Sequence, residues 1–438
     1  LEARVGELEA TQFSTTTKLD AQTSFVIGAN SFGGNLKFSK KEVAAIDRRF
    51  PVDGSDTPGQ AGSNLLLASG DQGTAFPTRK SYSDYAAERF GASTFNYDTQ
   101  INFNTSFTGK DLLTTTIRAG NFGQSTFLAG PTTLSTLEVA SESDAGANIV
   151  FIDKIFYSAP IGSDFTFIIG ANVGQDDMMP MWPSVYPQGD ANTVLDVLTL
   201  NGAPGAYNKT QGPGAALNFE KNGFVLGLQY VSDLGAGPNS NPREGGILTD
   251  NSDGVGTVQI GYQADQWGIA GVYSWLQDPG LVPYTTSYTQ LSYLQDVDAS
   301  LNAFALSAYW QPENSGWIPG ISAGWGLNST NFKGNDTPNG YVSTSQSWQV
   351  SLQWSDAFIK GNTAGMAVGQ TTFATDLVGG ETPNDGNYAW EWWYGFQVTD
   401  NITVTPAMFY LSRPLGQLTT NNSSFSQFGG LVRTTFTF

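Results

Sequence analysis

The chain ends in QFGGLVRTTFTF, residues 427–438, and the reading of this stretch decides the fold. From Phe428 the even positions carry Phe428, Gly430, Val432, Thr434, Phe436 and Phe438, and the odd ones Gly429, Leu431, Arg433, Thr435 and Thr437. A repeat of two places these sets on opposite faces of a strand, one mostly apolar and one mostly polar. Such a strand either packs on a core in water or turns its apolar face to lipid. The remaining strands decide which.

Working back from the terminus, the same dyad recurs. Around 388–399 one face holds Tyr388, Trp390, Trp392, Tyr394, Phe396 and Val398, and the other includes Glu391 and Gln397. Trp348, Val350, Leu352 and Trp354 alternate with Ser347, Gln349, Ser351 and Gln353, and Ile101, Phe103 and Phe107 with Asn102, Asn104, Ser106 and Thr108. From 18–32 to 427–438 the pattern predicts about sixteen strands, each near the ~9 to 11 residues that a tilted membrane strand needs. Residues 147–159 are apolar on both faces, which suits a subunit contact or a place under an infolded loop.

The links between strands sort by length. Short ones at 109–110, 160–163, 222–223, 265–266, 312–316, 357–361 and 400–401 alternate with long ones at 33–96, 123–146, 175–212, 234–253, 278–300, 330–343, 376–387 and 413–426. A soluble Greek-key sandwich has no reason to sort its loops this way. A transmembrane, antiparallel, up-and-down β-barrel does, with short periplasmic turns, long extracellular loops and both termini periplasmic. Trp267, Trp310, Trp317, Trp354, Tyr262 and Phe438 fall beside the short turns or the terminus, where a membrane-interface girdle sits.

Composition fits. The 438 residues carry a formal charge of −19 with only 13% charged residues, which argues against nucleic-acid binding. Cys and His are absent, which removes thiol and imidazole chemistry and the usual zinc, copper and haem ligands, so no cofactor and no metal is expected. A serine lipase lacks its usual base, although an acidic protease pair stays open at this point. The segment DNSDG at 250–254 misses the calcium-loop spacing and reads as a turn. Fifty-one glycines and 13% aromatics suit many short strands joined by turns.

Residues 12–25, QFSTTTKLDAQTSF, and 103–122, FNTSFTGKDLLTTTIRAGNF, resemble the cyanobacterial outer-membrane porins related to carbohydrate-selective porins. The segment 105–111 is the most specific part, and the resemblance covers nearly the whole chain. It implies an N-terminal S-layer-homology domain that grips peptidoglycan-linked polymer, then a coiled coil, then a trimeric barrel. The S-layer-homology domain is missing from this sequence. Residues 1–15 then read as the end of the coiled-coil connector, with a frayed N-terminal helix as the other reading, and residues 16–438 as the barrel. The implied partners are two further copies of the chain, outer-membrane lipid and lipopolysaccharide, the outer-membrane assembly machinery reading Phe436 and Phe438 as a terminal signal, and peptidoglycan only through the missing domain.

A sixteen-strand barrel leaves an aqueous lumen, so what narrows it matters. The third long link, 175–212, is the candidate constriction, with Asp176, Asp177, Asp190 and Asp196 opposed by Lys209. Arg118, Glu391 and Arg433 point inward by strand parity and are candidate wall residues. Arg118 and Arg433 also fit solvated lumenal positions with no selective role, and the loop acids an ordinary exposed acidic loop. The first long link, 33–96, carries Lys40, Lys41, Arg48 and Arg49 around a helical stretch at 41–50 and a second at 83–90, which suggests a lid over the pore or a surface contact. The expected function is passive diffusion of ions and small hydrophilic solutes; the alternative is a mainly structural protein tethering membrane to cell wall, with a narrow or closed pore.

Overall fold

The computed structural model describes residues 16–49, 80–187, 192–295, 297–314, 316–333, 339–420 and 422–438. The expected connector at 1–15 and Asp190 lie outside them, as do the side chains of Arg48 and Arg49.

Among the described residues, the strands follow the sequence pattern closely. They are β1 (Thr17–Gly33), β2 (Thr94–Thr105), β3 (Leu112–Gly120), β4 (Phe151–Ile161), β5 (Phe165–Gly174), β6 (Gln211–Lys221), β7 (Phe224–Ser232) and β8 (Gly254–Gln263). The second half holds β9 (Trp267–Leu276), β10 (Ala299–Trp310), β11 (Gly320–Phe332), β12 (Val342–Ser355), β13 (Thr363–Leu377), β14 (Tyr388–Thr399), β15 (Ile402–Ser412) and β16 (Ser426–Thr437). Each pairs antiparallel with its sequence neighbour, and β16 closes on β1 in the register Gln22↔Thr437 to Gly33↔Ser426. The terminal strand is therefore the seam that removes the open edges. The long connections all emerge at one end: L1 (34–93), L2 (121–150), L3 (175–210), L4 (233–253), L5 (277–298), L6 (333–341), L7 (378–387) and L8 (413–425).

Parity holds along the wall. Phe25, Ile27, Leu228, Ile260, Phe304 and Leu306 stand exposed on the outside, while their strand neighbours Ser24, Val26, Gly227, Gln259, Ala303 and Ala305 turn inward. On β16, Phe428 and Val432 are exposed, whereas Gln427, Leu431, Arg433 and Thr435 are buried in the lumen. An apolar outer face of this extent needs lipid.

Lipid is not the only apolar partner in the molecule, because the barrel interior contains packed cores. L2 and L3 supply Phe122, Phe127, Leu134, Leu137, Leu195 and Leu198, which pack on the inward side chains Ala389, Trp393, Phe409 and Leu431. A second cluster gathers L1, L3, L5 and L8 around Phe38, Tyr82, Tyr207, Tyr288, Leu415 and Phe425. The loop residues carrying these clusters lie in connections without a dyad, where periodicity gives no sign of direction.

L1 contains α1 (Lys40–Arg49) and α2 (Tyr82–Phe90), each starting one residue before the helical stretch that the sequence suggests. Ser39 and Glu42 form a reciprocal capping box on α1, at 3.2 and 2.7 Å. Ser81 caps α2 through the Asp84 amide. Lys40 and Lys41 are exposed, so this part of the basic cluster faces solvent, whereas α2 buries Tyr82 and Tyr85. The Tyr82 ring sits edge-on to Phe425 of L8 at 4.8 Å.

The short β2–β3 turn explains the 105–111 motif physically. Asp111 Oδ1 accepts from the Phe107 and Thr108 amides at 3.0 and 2.7 Å and from the Ser106 and Thr108 hydroxyls. Gly109 sits at φ +79 in that turn, in the left-handed region that glycine tolerates best.

Candidate functional site

L3 enters the lumen at α3 (Gln175–Met178) and is stitched to the wall by strand side chains, mostly uncharged. Gln175 reaches Thr257 of β8 and Ser274 of β9 at 2.9 and 3.2 Å. Gln259 of β8 brackets Met181 with bonds to its N–H and C=O. Ser322 of β11 accepts from the Val185 amide, Ser307 of β10 donates to the Asn201 carbonyl, and Gln349 of β12 donates to that of Leu198 at 2.8 Å. The turn at Asn201 and Gly202, both at positive φ, lies so close to β11 that a Cβ on Gly324 would run into the Asn201 carbonyl. Glycine is required there by the approach of L3.

Two charged wall candidates belong to this seam. Glu391 of β14, 1% exposed, accepts from the Tyr186 hydroxyl and from the Leu195 amide at 2.9 Å. Trp393 donates its indole N–H to the same Tyr186 hydroxyl at 3.0 Å. Arg433 of β16, 2% exposed, donates to the carbonyl and hydroxyl of Thr193 at 2.8 and 2.9 Å. Both point inward as parity predicts. Their charged ends lie under L3 rather than in lumenal water, which corrects the alternative reading of Arg433 as a solvated lumenal residue. A strand dyad gives direction but not cover.

Arg118 differs. Its guanidinium meets Asp98 of β2 at 2.7 Å and Asp153 of β4 at 3.8 Å, and its side chain is still 17% exposed. Nearby, Lys154 of β4 pairs with Asp177 of α3 at 2.7 Å. Burial and the Asp176 charge push Asp177 upward, with Lys154 holding it partly back. Lys154 was missed in the sequence because two adjacent charges in the doubly apolar stretch give no parity. A bulge between Thr116 and Ile117 sets the register there.

The third ionic group joins L2 to L3. Lys209 contacts Asp196 at 2.8 Å and Glu138 at 2.9 Å, and the Tyr284 hydroxyl of L5 donates to Asp196. Burial opposes it, but the Lys209 charge and the converging donors hold Asp196 low. Burial and the Asp196 charge push Glu138 up, so Glu138 is the member that carries a proton more readily. Beside this cluster the Leu137↔Leu195 bridge and the bonds Glu138 N to Val194 O and Asp196 N to Thr136 O, both 3.0 Å, fasten L2 along L3. Glu138 gave no signal in the sequence, because its role arises only once L2 folds inward.

The described acids of L3 thus do not form a single acidic rim. Asp177 and Asp196 are neutralised by lysines, and Asp176 stands beside them at the start of α3. Away from L3, the inward residues Gln100, Asn102, Asn104 and Thr114 are half-buried, and Lys18 and Asp20 are exposed. Asp20 accepts from the Asn102 and Asn104 amides at 2.9 and 2.5 Å, while Thr114 and Thr116 donate to the same two asparagines. The inward face of β1 to β3 nearest the short turns is therefore polar and partly uncovered, whereas further along β1 Val26 and Asn30 lie under Phe127 and Thr126 of L2.

This architecture has known counterparts. The solved high-pH structure of Pseudomonas putida OprB superposes with a TM-score of 0.54 at 12% identity, covering 100% of this chain and 96% of that one. An anion-selective porin from Comamonas acidovorans gives a TM-score of 0.50 at 8% identity. At this identity both speak for the fold alone. Uncharacterized proteins of Nostoc and Synechocystis are 26% and 27% identical over the whole of this chain, which spans 68% and 72% of their lengths. Over residues 1–438 the sequence matches the carbohydrate-selective porin, OprB family, and the chain belongs to that family.

Proposed function

We propose that the protein is an outer-membrane channel for passive diffusion of ions and small hydrophilic solutes, sugars among them, along the polar side of the lumen formed by β1 to β4. The observation that carries this reading is the contrast in cover: Gln100, Asn102, Asn104 and Thr114 stay half-buried while the inward face of β8 to β16 is largely sealed by L2 and L3. The short turns and both termini lie on the periplasmic side, the long loops outside, and the outward face of the barrel meets lipid and lipopolysaccharide. Phe436 and Phe438 present the last strand to the assembly machinery, and the chain works as a homotrimer. L1 narrows the mouth through α2, which is held on β1 and L8. The interior core favours one further reading, a narrow pore in a protein whose main role is to tether the membrane.

Liposome swelling with a graded series of salts, amino acids and sugars separates the two. Entry of small sugars well above the protein-free rate supports the channel. Rates equal to protein-free liposomes for every solute overturn it.

A further inference from the structure

At the loop end of the barrel, where β4, β5 and β6 meet L3, L4 and L5, lies a cavity of about 370 Å³. It borders the ionic groups described above, because Asp153 and Lys209 both line it. Phe151 of β4, Leu234 of L4 and Leu281 of L5 give it an apolar side. Its volume falls near the lower end of the ~300 to 1,000 Å³ range of ligand pockets, which suits a small ligand.

The hydrogen-bond donors around this cavity are spent. Asn172 of β5 gives Nδ2 to the Asp153 carbonyl at 2.7 Å, and Gln211 of β6 gives Nε2 to the same oxygen. Asn208 gives Nδ2 to the Gly205 carbonyl at 3.1 Å, and the Thr210 hydroxyl donates to Asn208 Oδ1 at 2.6 Å. Lys209 turns its ammonium to Glu138 and Asp196 and its backbone amide to Gln175. The acceptors are left over. Asn172 is only 6% exposed, and among the described residues its Oδ1 meets no donor. Asp233 of L4 commits Oδ1 to the Gly235 amide at 2.8 Å, which leaves Oδ2 for a further donor. Asp153 meets the Arg118 guanidinium only at 3.8 Å, because that group sits closer to Asp98, at 2.7 Å. A buried acceptor without a donor is unfavourable, and a ligand that brings one relieves it.

We propose that this cavity is a binding station for a small organic cation, a primary alkylammonium, at the mouth of the channel. An ammonium head brings positive charge and three donors to a wall whose free groups are acceptors, and its carbon stem packs on the apolar side. A metal ion fits less well. It needs several oxygens around one point, and among the described residues no three acidic side chains gather to hold one. A neutral sugar brings acceptors as well as donors, and the spent donors cannot meet them. An anion would face the Asp153 and Asp233 carboxylates. The place of the station on the path rests on the channel reading, whereas binding itself does not.

Titration calorimetry on the protein in an uncharged detergent at low ionic strength decides the site. Putrescine is the probe, with its uncharged diol analogue, succinate and magnesium as comparisons. Putrescine should bind, the diol and succinate should not, and magnesium should bind more weakly than putrescine. Affinity for putrescine should fall several-fold in Asp153→Asn and in Asp233→Asn; the second keeps an acceptor for the Gly235 amide and so keeps the turn. Raising the salt from ~0.1 M to ~1 M shortens the screening length from about 10 Å to about 3 Å and should weaken binding. No heat with putrescine, equal binding of the diol, tighter binding of magnesium, or an affinity unchanged in both variants overturns the proposal. The wild-type series decides even where a variant misfolds.

Single-channel current in planar bilayers then tests the place of the site. Putrescine added on the loop side should block the current transiently, less so from the short-turn side and less in Asp153→Asn. Binding in the calorimeter with no effect on current from either side overturns the placement at the mouth. A preparation that conducts no ions breaks the channel reading, while calorimetry still decides the site.

Discussion

The two sides of one barrel are built by different rules. On the β8 to β16 side, the inward face is a seam: Gln259, Ser307, Ser322, Gln349, Glu391 and Arg433 hold the backbone of L3, and aromatic and aliphatic side chains of L2 and L3 fill the space between. On the β1 to β4 side, amides, hydroxyls and paired charges face a space that L3 touches mainly near its root, through Asp177. The same strand dyad encodes both. Polar inward residues serve as loop anchors on one side and stay partly uncovered on the other, so strand number alone does not set how much of the lumen is filled.

The largest test of this contrast removes the loop. Replacing residues 180–206 of L3 with a short Gly-Ser link should leave a barrel whose uncovered inner wall on the β8 to β12 side is mostly Gln, Ser, Thr and small residues able to hydrate. Conductance should rise several-fold. An unchanged conductance would mean that L3 does not limit the path. A milder form is Gly324→Val, which pushes the Asn201 turn off β11 without removing anything and should raise conductance less.

Next in size is the seam itself. Glu391→Leu strands the Tyr186 hydroxyl and the Leu195 amide, and each buried donor left without an acceptor costs about 1–3 kcal/mol. Lower thermal stability in detergent and noisier open-channel current are expected. Glu391→Gln keeps one acceptor and should sit between this variant and wild type. If Glu391→Leu matches wild type in both measurements, L3 is held by its apolar contacts and the hydrogen bonds are incidental.

How much of this was legible before the structure follows from the same contrast. Strand positions, closure of 427–438 on 18–32 and the inward direction of Arg118, Glu391 and Arg433 follow from a period of two, because lipid and lumen are different solvents on opposite faces. The interior core did not follow. Phe122, Phe127, Leu134 and Leu195 lie in loops, where no period links spacing to direction, and polar wall residues look alike whether water or a loop backbone takes their hydrogen bonds. Glu138 was missed for that reason, because it acquires its role from a contact between loops distant in sequence, and Lys154 because the doubly apolar stretch around it gives no parity.

The smallest expected effect probes charge on the two sides. Arg118→Gln leaves Asp98 and Asp153 without their shared cation in a partly hydrated wall, so the reversal potential in a salt gradient should move toward cation preference. Arg433→Gln changes a charge of the same sign, but one covered by L3 at Thr193, and should shift the reversal potential less while lowering stability more. Raising the salt distinguishes a charge on the path from one behind a loop. At 1 M the screening length is only ~3 Å, so the Arg118→Gln shift should fade. The stability loss in Arg433→Gln should persist, because ions do not reach a bond that L3 covers. If both variants respond to salt alike, the two walls are equally wet and the distinction between seam and channel lining fails.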